Sequence, residues 1–133
     1  MKVLFVGINN KKGKQPLDSS TLSGKMIDFF YLYFDEIMKT NLCPFEIEGK
    51  YPNKEETQRG KEMLRNLVKS KNPDAVVCLG NIVFENCKDL PKATKINHPS
   101  YVARQKKERR ENWVEETVRK IKEDWDYEIW KTL

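Results

Sequence analysis

The chain has one histidine, His98, and three cysteines, Cys43, Cys78 and Cys87, in 133 residues. With a single imidazole and no C-x-x-C pair, it cannot build a structural zinc site or a four-cysteine cluster from its own side chains. An odd number of cysteines without paired spacing argues against a disulfide framework. No metal and no cofactor are expected. No apolar run approaches the roughly 20 residues that span a bilayer. The opening Met1-Lys2-Val3-Leu4-Phe5-Val6-Gly7 is too short and too soon broken for a signal peptide. The expectation is a cytoplasmic protein without a membrane partner. Also absent are a G-x-x-x-x-G-K-[ST] phosphate loop and a G-x-S-x-G elbow. A Ser-His-Asp or Cys-His arrangement can be written on paper, but no spacing favours it. There are no internal repeats and no low-complexity segment.

Charge is what the chain has in abundance. Charged residues make up 34% of it and the net charge is +5, with a pI near 9.0. Such a domain tolerates or seeks polyanions. A merely solvated lysine-rich surface explains the same numbers, so charge alone does not choose between the two. The length fits one domain over residues 1–133, with a single core. A monomer is expected.

Periodicity supplies the elements. Val3-Leu4-Phe5-Val6 and Ala75-Val76-Val77-Cys78-Leu79 are continuous apolar runs that each end in glycine, the pattern of strands buried on both faces. The polar stretch from Asn9 to Gln15 reads as a loop. Leu22, Met26, Phe30, Tyr33 and Ile37 recur at helical steps and predict one helix over Thr21 to Lys39, with Ser19, Ser20 and Thr21 offering N-cap side chains. Gly24 weakens that helix, which a close approach of another backbone would justify. Thr40 to Ile47 is extended. Asn53 and Glu56 form a capping pair that opens a helix to about Ser70, with Met63, Leu64, Leu67 and Val68 inward. A short helix over Asn81 to Cys87, a weak strand over Ala93 to Asn97 and a last helix from Val102 or Arg104 to Asp126 complete the chain. The last helix carries a stripe of Trp113, Val114, Val118, Ile121 and Trp125. Strands alternating with helices predict an α/β fold. It is read as a three-layer sandwich with a central, mainly parallel four-stranded sheet flanked by helices.

Four groups of residues could carry chemistry. Gly7-Ile8-Asn9-Asn10 ends the first strand, where open α/β sheets bind ligands. A turn capped by asparagines accounts for it equally well. His98-Pro99-Ser100-Tyr101 follows the last strand. A lone histidine is more often a packed residue, but this one sits at a strand's carboxyl end beside a rigid proline. Asn41, in Thr40-Asn41-Leu42-Cys43-Pro44, offers the donor pair and acceptor that read the polar edge of a base. The blander account is an amide bonded to its own backbone. The run Arg104, Lys106, Lys107, Arg109 and Arg110 is either a solvated helix face or a phosphate contact.

In order, these pieces resemble the uracil-DNA glycosylase superfamily. Gly7-Ile8-Asn9 is similar to the G-I-N-P-G or G-M-N-P-G motif of its mismatch-specific and single-strand-selective branches, and His98-Pro99-Ser100 matches H-P-S. Thr40-Asn41-Leu42-Cys43-Pro44, Pro52-Asn53-Lys54-Glu55-Glu56 and Pro73-Asp74-Ala75-Val76-Val77-Cys78-Leu79-Gly80 resemble segments of its iron–sulfur branch. The likeness covers nearly the whole chain. It implies a monofunctional glycosylase that flips uracil or a modified pyrimidine out of DNA. By that resemblance Asn9 positions the attacking water, Asn41 reads the base edge, and His98 stabilises the departing pyrimidine. Gly7 and Ile8 line the base site, and Leu17 stands nearest the family's stacking aromatic. The resemblance also implies that Ser100 touches a phosphate and that Tyr101 or a neighbour fills the gap left in the duplex; Ser100, Tyr101, Arg104, Lys106 and Lys107 are expected at the DNA backbone.

The chain departs from the pattern in places. Asn10 and Lys11 replace the Pro-Gly after the motif asparagine, and leucine stands where the aromatic is expected. The cluster cysteines are missing, so no iron–sulfur cluster is expected. Two other readings stay open. One is a non-catalytic base-, nucleotide- or DNA-binding module on the same fold. The other is a small interaction domain whose basic surface serves only solubility.

Overall fold

The computed structural model describes residues 1–9 and 15–132, without the side chains of 100, 103, 107, 110 and 126–132. The expected loop residues Asn10 to Lys14 fall outside the described residues. Four strands, β1 (Lys2–Asn9), β2 (Glu36–Cys43), β3 (Ala75–Leu79) and β4 (Ala93–Ile96), form one sheet in the order β2-β1-β3-β4. Every pairing is parallel, so the mainly parallel sheet expected from the pattern is wholly parallel. Among the described residues, five helices surround it: α1 (Leu22–Asp28), α2 (Lys54–Lys71), α3 (Asn81–Cys87), α4 (Pro99–Ala103) and α5 (Lys107–Thr132). Among the described residues, no helix is long and apolar enough to cross a membrane.

The layers follow from strand alternation. Val3 and Phe5 enter one core with Phe30 of the turn after α1, Val102 of α4, and Trp113 and Ile121 of α5. Leu4 and Val6 enter the other core with Leu64 of α2 and Val83 and Cys87 of α3. A strand buried on both faces must be apolar at every position, which is why β1 and β3 read as unbroken runs. Phe5 stacks on Phe30 with ring centroids 5.1 Å apart, and Trp113 meets Phe30 edge-on at 5.3 Å. Burying each such ring contributes roughly 1.5–3 kcal/mol.

Local chemistry sets most boundaries. Asn53 caps α2 with a complete capping box: its side chain accepts the Glu56 N–H and Glu56 returns a bond to the Asn53 N–H. Thr21 caps α1 through the Gly24 N–H at 3.0 Å. At Gly24 a Cβ would collide with the Asp18 carbonyl, so the glycine is explained by the backbone approach expected of it.

The structure corrects three readings. The helix predicted from Thr21 to Lys39 ends at Asp28, tightens into a 3-10 turn over Phe29–Leu32, and gives way to β2 at Glu36. Met26, Ile27, Phe30 and Phe34 are buried, but Leu22 and Tyr33 of the expected stripe are exposed, and Ile37, Met38 and Lys39 pair with Val3, Leu4 and Phe5. Without that pairing, half of one edge of β1 would lack hydrogen-bond partners. The last helix is broken in two, because the chain turns at Arg104–Lys106 between α4 and α5. Met63, expected inward, is exposed, whereas Leu64 one position on is buried.

Candidate functional site

Strand order reverses at β1: the chain moves outward to β2, then crosses to β3 and β4 on the other side. Ligands of such sheets bind beyond the carboxyl ends at that reversal. A cavity of about 490 Å³ lies there, within the roughly 300–1,000 Å³ of small-molecule sites. β1 lines it with Gly7, Ile8 and Asn9, β2 with Asn41, and the segment after β4 with His98.

Register brings the floor together. Gly7 and Asn41 are partners across β1 and β2, and directly paired side chains project from the same face. Asn41 therefore leans over a residue without a side chain. A Cβ at position 7 would collide with Asn41 Oδ1 and lie 3.2 Å from Leu17 Cδ2. Gly7 is the space that the Asn41 amide, only 3% exposed, and the Leu17 side chain occupy.

The rim between β1 and α1 is held in an uncommon conformation. Leu17 has φ 48°, a left-handed backbone that costs a non-glycine residue roughly 1–2 kcal/mol. Lys39 of β2 fastens it. Its ammonium donates to the Leu17 carbonyl at 3.0 Å and the Ser19 hydroxyl at 3.2 Å, and pairs with Asp28 at 2.5 Å. Asp18 also lines the cavity, but its carboxylate oxygens accept the N–H groups of Ser20 at 2.8 Å and Gln15 at 3.3 Å. That carboxylate builds the turn.

The rim between β2 and α2 brings Lys50 and Tyr51 to the same cavity. The Lys50 ammonium lies 5.6 Å from the centre of the Tyr51 ring. Neither residue was singled out from the sequence. The available signal was an aromatic beside a cation in the loop after a strand's carboxyl end.

His98 is half-buried, and burial pushes its imidazole below the ordinary 6.5. It is neutral at neutral pH, with one ring N–H to donate and one nitrogen to accept. Its carbonyl accepts the Tyr101 N–H at 3.0 Å, which opens α4. The three thiols are buried and free. Burial, with the Glu56 charge second, pushes Cys43 up to about 11, so it remains a thiol at neutral pH. Among the described residues, no group of three His, Cys, Asp or Glu side chains could hold a metal ion.

Gly7, Ile8, Asn9, Leu17, Asn41 and His98 thus share one cavity. Tyr101, Arg104 and Lys106 do not join them. Tyr101 is exposed on α4 and lines a separate cavity with Arg109, and Arg104 and Lys106 are exposed on the connector to α5. The side chains of Ser100 and Lys107 fall outside the described residues. In comparisons with known proteins, the family model described as Uracil DNA glycosylase superfamily matches residues 1–122. No curated protein matches the chain.

Proposed function

The chain belongs to the uracil DNA glycosylase superfamily, and from that premise we propose that it hydrolyses the N-glycosidic bond of uracil or a modified pyrimidine extruded from DNA, as a step of base-excision repair. The observation that carries this reading is the convergence of Asn9, Asn41 and His98, from three strand ends, on one cavity. The Asn41 amide reads the polar edge of the base with its donor pair and acceptor. The C1′–N1 bond breaks and its electron pair leaves on the pyrimidine. The neutral His98 imidazole donates a hydrogen bond to O2, where that charge gathers, and stabilises the leaving anion in a partly dry site. A water held by the Asn9 side chain adds to C1′, and its proton ends on the departed base or in solvent. The exposed Tyr101, Arg104 and Lys106, with Ser100 and Lys107 beside them in sequence, contact phosphates.

A protein in excess over single- and double-stranded oligonucleotides carrying uracil or modified pyrimidines, followed by alkali, tests the reaction. Strand breaks at the modified position support it, and intact strands with every substrate refute it. The aliphatic Leu17 beside Gly7 favours a second reading, in which the pocket binds a base without releasing it. That reading predicts salt-sensitive, base-dependent binding with no abasic product.

A further inference from the structure

We propose that Tyr51 is the face against which the extruded base lies, so that the loop between β2 and α2 determines which rings the pocket accepts. The inference rests on the base-reading function above and adds the element that function lacks. Asn41 and His98 offer hydrogen bonds to the edges of a flat ring, and edge contacts alone leave its faces uncovered. Among the described residues lining the cavity, Tyr51 carries the only phenyl ring. Leu17 supplies aliphatic surface beside Gly7.

The loop that carries the ring is tied down. Glu56 of α2 closes the loop at both ends with one carboxylate: Oε2 accepts the Glu48 N–H at 3.1 Å and Oε1 accepts the Asn53 N–H at 2.9 Å. Asn53 Oδ1 in turn accepts the Glu56 N–H at 2.8 Å. The segment between Glu48 and Asn53, which carries Lys50 and Tyr51, is thereby tied to the first turn of an 18-residue helix. Yet the Tyr51 side chain is not part of either core, because the residue is 56% exposed. A tethered loop that presents a solvent-exposed aromatic to a cavity is suited to stacking, since every nucleobase has a π-face. The Lys50 ammonium beside the ring adds a cation at the same rim.

The test compares affinities for two oligonucleotides, one with a central non-hydrolysable 2′-fluoro-2′-deoxyuridine and one with a tetrahydrofuran abasic analogue. The ratio of the two dissociation constants isolates the base contact from the backbone contacts. Tyr51→Ala is expected to reduce the wild-type ratio by about 10- to 100-fold while leaving abasic-strand affinity unchanged. Tyr51→Phe, which keeps the ring, is expected to hold the ratio to within about twofold. Tyr31→Ala, which removes an exposed tyrosine on the 3-10 turn outside the cavity, controls for general loss and leaves the ratio unchanged. A wild-type base preference that survives Tyr51→Ala overturns the role of Tyr51 alone. A wild type with no base preference overturns base reading itself, and this inference with it.

Discussion

The floor and the rims of the cavity are built by different means. The floor is a product of sheet register: Gly7 faces Asn41 because β1 and β2 pair in parallel over their length. The rims hang on a few charged side chains, with the Asp18 carboxylate already building the Leu17 turn. Lys39 holds the Leu17 turn through two hydrogen bonds and an ion pair, and Glu56 holds the Tyr51 loop through two more. A floor made by register cannot shift without unpairing strands, whereas a rim made by a clamp can be loosened by one substitution. On the function proposed above, strand ends carry the groups assigned to the reaction, and clamped loops carry the surfaces proposed to meet the ring.

The largest effect is expected at the floor. Gly7→Ala puts a methyl group into the space held by Asn41 Oδ1 and Leu17 Cδ2. Overpacking of this kind costs about 1–3 kcal/mol. Because the sheet is involved, amide exchange should rise throughout β1 and β2, and base binding should be lost with it. Urea unfolding and hydrogen exchange measure both.

Next is Lys39→Met, which keeps the aliphatic stem and removes the charge. The Leu17 carbonyl and Asp28 lose their donor, at a cost of about 1–3 kcal/mol. Here faster exchange should be confined to residues 15–28, with β1 unchanged. Exchange that spreads through the whole sheet would erase the distinction between floor and rim.

Glu56→Ala is expected to cost less, about 1 kcal/mol, as the loss of half a capping box does. Its signature is increased exchange over residues 48–53. Full protection of that segment in the variant would show that the loop is held by something else.

The smallest effect concerns pH. Burial lowers the His98 pKa below 6.5, so the unfolded chain binds the proton more readily than the folded one. This contribution to stability is fully present above pH 6.5 and is lost as pH falls through the lower folded value. His98→Asn should flatten that part of the stability profile. An unchanged slope between pH 6.5 and 5 would contradict the burial of the imidazole.

Much of this was legible in the sequence, for physical reasons that differ by element. β3 and α3 could be bounded because a strand buried on both faces, followed by glycine, has little other use. The start of α2 was legible because Asn53 and Glu56 satisfy each other locally. The end of α1 was not, because the residues that stop it pair with a strand more than 30 positions earlier. Local period cannot register that competition. Within the site, Asn9 and His98 could be named because each ends or follows a strand, and Asn41 because its amide offers a donor pair and an acceptor in an extended segment. Tyr51 carried only a weak signal, an aromatic beside a cation, because its place depends on Glu56 drawing a loop closed. The left-handed Leu17 backbone was equally hidden, since nothing in Gln15-Pro16-Leu17-Asp18 announces the Lys39 ammonium beneath it.

The central claim is that Asn9 and His98 act on one bond from two strand ends. It is tested most directly by single-turnover release of uracil from a deoxyuridine oligonucleotide by the wild type, Asn9→Ala, His98→Ala and the double variant. The account predicts that each single change slows release by about 100-fold or more, while binding of the abasic analogue is retained. It also predicts that the double variant falls short of the product of the two losses, as groups acting in one transition state do. Release at the wild-type rate after either single substitution, in a protein that remains folded, would contradict it.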